Sequence, residues 1–178
     1  TEIIEFVQQI LMWMQSQQVK MVIMACNTSS ALALDALRQK FDFPILGVIL
    51  PGARAAIRKG KRIGVIATTA TVNSEAYVQA IAETAAEKQS QAQVWQVACP
   101  EFVPLIESNR INDPYTLEVA REYLAPLLEA DIDTLVFGCT HYPHLEGVFR
   151  QILPSHVRFV DPAAFVVKAA SQELEILG

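Results

Sequence analysis

Apolar side chains recur along this chain in two alternating rhythms. Over residues 1–17 they fall at Ile3, Ile4, Val7, Ile10, Leu11 and Met14, the spacing of an amphipathic helix, with Thr1 as its expected cap. Residues 20–25 (KMVIMA) instead form an unbroken apolar run of strand length. A helix is expected over about 28–40, with Leu32, Leu34, Leu37 and Phe41 as its inner face. The alternation then repeats. Strands are predicted at 44–49, from Arg62 (RIGVIA), from Ala92 (AQVWQVA), from Thr134 (TLVFG) and from Val157 (VRFV). Helices are predicted from Pro51 to a stop at Gly60, over about 70–86, over 101–107 and 114–129, over 141–153 and over 162–174. Strands alternating with helices in this way predict an α/β protein with a mostly parallel sheet, in which ligands bind beyond the carboxyl ends of the strands.

Composition narrows the function without naming it. The 178 residues are 52% hydrophobic and 19% charged, enough apolar material for a packed core. Fourteen Lys and Arg stand against 19 Asp and Glu, and no basic run exceeds residues 58–62 (RKGKR), so no electrostatic footprint for nucleic acid is present. The longest apolar runs fall far short of the roughly 20 residues of a membrane span. Three Cys and no secretory signal predict reduced thiols in the cytoplasm. Neither a phosphate loop nor a zinc spacing is visible, and no Lys occupies an evident pyridoxal phosphate pocket, so the expected chemistry uses no cofactor and no metal.

Two cysteines stand where the ligand rule points. Cys26 follows the strand MVIMA and precedes Asn27, Thr28, Ser29 and Ser30; Cys139 follows TLVFG and precedes Thr140 and His141. A cysteine ending an apolar strand is more often a small buried hydrophobe than a catalyst. The matching surroundings of this pair reverse that preference. A helix N-terminus would lower each thiol pKa and offer N–H groups, with the hydroxyls of Thr28, Ser29 and Thr140, to a carboxylate. Two thiols on opposite sides of one carbon could remove a proton from one face and return one to the other, inverting a stereocentre. His141 is placed at the pocket mouth, His144 and His156 on the surface, and Cys99 in the packing.

The segments MACNTSSA (24–31), GVILPGARAA (47–56), IGVIATTATVNSEAY (63–77), ACPEFVPLIE (98–107) and DTLVFGCTHYPHL (133–145) resemble the glutamate racemases of the aspartate/glutamate racemase superfamily. The resemblance implies two similar α/β lobes with the site between them: residues 1–50 plus 161–178 in one, 51–160 in the other. It implies that Cys26 and Cys139 are the acid/base thiols, that His141 and Glu107 assist the second thiol, and that Asn27, Thr28, Thr71, Thr140 and His141 bind glutamate, with Thr68 a further candidate. It also implies a reaction without pyridoxal phosphate or metal, a cytoplasmic supply of D-glutamate for peptidoglycan, and a homodimer as one assembly. Two family motifs that bind substrate, Asp-Ser-Gly and Pro-Tyr-Gly, do not occur here. Their expected place is before Thr1, and further family helices are expected beyond Gly178, so the activity is assigned to a longer parent protein and the pocket of this chain is expected to be incomplete. The competing readings are a hydantoin racemase or maleate isomerase type of thiol enzyme, and a non-catalytic small-anion-binding module.

Overall fold

The computed structural model describes residues 2–177, so the expected Thr1 cap lies outside the described residues. Two parallel sheets flanked by helices make up the described fold. The first sheet pairs β1 (Val22–Met24) with β2 (Ile45–Gly47). The second runs in the order β4 (Gln93–Ala98), β3 (Arg62–Ala67), β5 (Thr134–Gly138), β6 (Arg158–Val160), all parallel. Its two central strands are buried on both faces, which is why they read as continuous apolar runs rather than as alternations.

The helices are α1 (Glu2–Ser16), α2 (Asn27–Leu37), α3 (Ile49–Lys59), α4 (Thr69–Asn73), α5 (Ala76–Glu87), α6 (Phe102–Glu107), α7 (Pro114–Glu129), α8 (Glu146–Ile152) and α9 (Pro162–Leu177). None of them is long and apolar enough to cross a membrane. Helix α3 starts two residues before Pro51, which costs nothing because the amides of a first helical turn have no partner within the helix. The expected single helix over 70–86 is two helices. Glu75 takes a left-handed conformation (φ 56°) between α4 and α5, and the Ser74 hydroxyl accepts from Ala76 N to restart the chain. The expected helix over 141–153 is also divided: a 3-10 turn, Tyr142–Leu145, precedes α8 because Pro143 and the packing of Tyr142 tighten the entry.

Three apolar clusters hold the layers together. One face of the larger sheet carries Phe102, Phe137, Tyr142 and Phe149 under α6, α7 and α8. Its other face carries Ile49, Ala53, Ala56, Tyr77 and Ile81 from α3 and α5. Around the smaller sheet, Leu11 of α1 meets Val22, Met24, Ala33, Leu37 and Ile45. Here the predicted inner faces are shifted. In α2 the fully buried apolar positions are Ala33 and Leu37, with Leu32 and Leu34 half-buried and Phe41 beyond the helix end, also half-buried. In α1, Ile10 is 52% exposed beside Phe6 and Trp13. Strand β1 has one strand beside it among the described residues, too little sheet to cover a wider apolar stripe.

Candidate active site

The parallel register brings the candidate residues to one end of the strands. Ala67 stands opposite both Gly138 and Ala98, so Thr68, Cys139 and Cys99 emerge side by side from β3, β5 and β4. Cys26 leaves the same end of the smaller sheet, two residues after Met24. Gly138 permits the close strand approach: a β-carbon there would lie 2.7 Å from the Ile66 carbonyl oxygen and 2.8 Å from Ala67 Cβ.

Cys26 is the N-cap of α2. Its backbone is extended (φ −82°, ψ 127°), and its Sγ, exposed to solvent, accepts from the Ser29 amide at 3.5 Å. An N-cap acceptor satisfies one of the amides that the first helical turn leaves over. Asn27 is buried, and its Oδ1 accepts from the Tyr77 hydroxyl at 2.6 Å. Thr28 reaches across to the second sheet. Its Oγ1 lies 2.9 Å from Thr68 Oγ1 and 3.2 Å from Thr71 Oγ1, and Thr68 donates to Thr71 at 3.1 Å, closing a triangle of hydroxyls between α2 and α4. Thr71 is fully buried beneath it.

Cys139 has different surroundings from those expected. It is only 7% exposed and caps no helix; the chain goes on through Thr140, which is exposed, to the 3-10 turn. Its Sγ lies 3.7 Å from His141 Nδ1, and His141 Nε2 lies 2.6 Å from Glu107 Oε1 at the end of α6. Thiol, imidazole and carboxylate thus form a chain from interior to surface. With the carboxylate holding the Nε2 proton, Nδ1 is free to take the thiol proton, and the resulting imidazolium would sit between two anions. The expected lowering of this thiol pKa is corrected by the structure. Burial pushes Cys139 up, a hydrogen bond from the His141 backbone pulls it partly down, and a negative charge at Cys26 pushes it up again.

Alkylation of the chain should therefore follow the order Cys26, Cys139, Cys99, with the rate at Cys139 still climbing with pH above the ordinary thiol range near 8.5. Peptide mass spectrometry after timed iodoacetamide treatment would read this, and a Cys139 that levels off below pH 8 would contradict it. Cys99 is wholly buried, and desolvation raises its pKa far above the ordinary thiol range, in keeping with a packing role. His144 and His156 are exposed. Among the described residues no three His, Cys, Asp or Glu side chains gather as a metal ion would need.

Tyr77 was not singled out from the sequence as a site residue. It is the last residue of one matching segment, but an aromatic at that helical position looks like an ordinary core residue. Its hydroxyl meets Asn27 only through the folding of α5 against α2, so no local pattern reveals it.

The sequence pattern of the Asp/Glu/hydantoin racemase family matches residues 2–170. The glutamate racemase of Synechocystis sp. is 68% identical over 176 residues, a match that covers 99% of this chain and 62% of that protein. Among solved structures, a glutamate racemase isoform from Bacillus anthracis superposes with a TM-score of 0.91 at 35% identity, covering 99% of this chain and 66% of that one. The glutamate racemase of Francisella tularensis, in complex with D-glutamate, superposes with a TM-score of 0.89 at 33% identity over 97% of this chain and 64% of its own. The chain therefore spans about 62% of the length of the curated relative and about two thirds of the solved ones.

Proposed function

The chain belongs to the Asp/Glu/hydantoin racemase family, and on that premise we propose that the complete protein interconverts L- and D-glutamate by proton transfer between two thiols. Cys26 and Cys139 take the two faces of the α-carbon. His141, held by Glu107, serves as the proton partner of Cys139. Asn27, Thr28, Thr71 and Thr140, with the amides at the start of α2, hold the substrate carboxylates. The observation that carries the reading is geometric: Cys26 and Cys139 both follow the carboxyl ends of parallel strands, and Thr28, two residues after Cys26, is hydrogen-bonded to Thr68, which emerges beside Cys139. One thiol on each side of a pocket suits a reaction in which one thiolate accepts as the other thiol donates.

The asymmetry of the two surroundings fits the same cycle. Cys26 caps a helix and meets solvent, whereas burial holds Cys139 toward the protonated form beside an imidazole that can receive its proton. The proposed reaction uses neither pyridoxal phosphate nor metal. It would supply D-glutamate for peptidoglycan in the cytoplasm, from a protein of two lobes (1–50 with 161–178, and 51–160) that can pair as a homodimer. Of the relatives, the one from Francisella tularensis has D-glutamate bound, which supports glutamate as the substrate class.

The test is isotopic. The complete protein, treated with a chelator and given L-glutamate in deuterated water, should yield D-glutamate carrying deuterium at the α-carbon, seen by chiral chromatography and proton NMR. Exchange with a hydantoin or maleate, and none with glutamate, would move the activity elsewhere in the superfamily. Glutamate binding without any exchange would leave a binding module.

A further inference from the structure

Tyr77 touches both thiol-bearing segments from within the core. Its hydroxyl donates to Oδ1 of Asn27, the residue after Cys26, at 2.6 Å. Its ring fills the space left by Gly138, the residue before Cys139: a β-carbon at 138 would lie 3.3 Å from Tyr77 Cε2. Gly52 of α3 gives the hydroxyl its room, since a β-carbon there would come within 3.4 Å of it. The residue is fully buried. Burial first, then the proximity of Asp161 and Cys139, pushes the phenol pKa far above its ordinary range.

We propose that Tyr77 is a positioning residue for substrate binding: by donating to Oδ1 it locks the Asn27 amide with its Nδ2 donors turned away from the core and available to a substrate carboxylate. The inference rests on the racemase reading and deepens it. An unheld side-chain amide can rotate and present either edge, and a carboxylate is repelled by the oxygen edge. A phenol that donates to that oxygen favours the edge seen here, with Oδ1 accepting. Because the same ring packs against Gly138, the lock also ties the α2 side of the site to the β5 side.

The experiment is a double-mutant cycle on the complete protein, using Tyr77→Phe, Asn27→Ala and the double variant, with initial rates from both enantiomers. Tyr77→Phe keeps the ring and should leave the melting temperature close to wild type while lowering kcat/KM about tenfold, mainly through KM, for L- and D-glutamate alike. In the Asn27→Ala background the second substitution should cost less than twofold, because the group it acts through is gone. Asn27→Asp keeps the acceptor that Tyr77 grips and removes the donors, so it should bind glutamate as poorly as Asn27→Ala even if Tyr77→Phe does not fold. Wild-type KM in Asn27→Asp or in Tyr77→Phe, or losses that multiply in the double variant, would overturn the proposal. A wild-type protein that does not turn over glutamate would instead sink the racemase reading and this inference with it.

Discussion

Replacing either Cys26 or Cys139 by Ser in the complete protein should lower racemisation roughly 10²–10⁴-fold, the range lost when a positioned general acid or base is removed. That corresponds to about 3–5 kcal/mol of transition-state stabilisation. A serine hydroxyl fills the same space but is too weak an acid to be a thiolate-like base at neutral pH, so folding should be spared while proton transfer is not. The two variants should also be mirror images. Each retains one thiol, so wash-in of deuterium should survive from the enantiomer whose α-hydrogen faces that sulfur and fail from the other, with the preference exchanged between Cys26→Ser and Cys139→Ser. Proton NMR of each enantiomer in deuterated water reads both effects. Variants that lose exchange equally from both enantiomers would argue for a single base serving both faces.

Truncating Phe102 to Ala should cost about 3–5 kcal/mol of stability, a large part of the 5–15 kcal/mol that holds a typical domain together. Phe102 is wholly buried at the start of α6, with Tyr123, Tyr142 and Phe149 around it at ring-centroid distances of 5.1, 5.3 and 5.5 Å. The Tyr142 contact matters for the site as well, because Tyr142 also donates through its hydroxyl to the Cys99 carbonyl and through its amide to the Cys139 carbonyl. Helix α6 ends on Glu107, so loosening its first residue should loosen the carboxylate that holds His141. Urea denaturation of the complete protein would give the loss from the shift in midpoint. A change under 1 kcal/mol would mean that this cluster repacks freely.

The elements that could be read without coordinates are those whose sequence signal is local. Helix α7 was expected over 114–129 and runs Pro114–Glu129, because Asp113 caps it and Pro114 opens it, signals that need no tertiary partner. Strands β3 and β5 were legible as apolar runs since both faces are covered. The α4–α5 break was not legible: Ala70, Ala76 and Ala80 continue a helical pattern, and nothing in the residue types announces the left-handed Glu75. The strand at 20–25 shortened to three residues because its length depends on how much sheet lies beside it.

The chemistry divides along the same line. Cys26 and Cys139 could be picked out from residue order, because a thiol after an apolar strand and before hydroxyl-bearing residues is a pattern within ten positions. Residue order does not show their unequal burial, although the family resemblance places His141 and Glu107 with the second thiol. One sulfur caps an eleven-residue helix and meets solvent, while the other is buried beside an imidazole whose carboxylate partner lies 34 residues away along the chain. Residue order sets which groups can titrate and where strands and helices begin. Solvent exclusion, the Thr28–Thr68–Thr71 triangle and the Tyr77–Asn27 bond come from packing between segments 40 to 50 positions apart, and a thiol's pKa depends on that packing because charge is stabilised by whatever surrounds it in space.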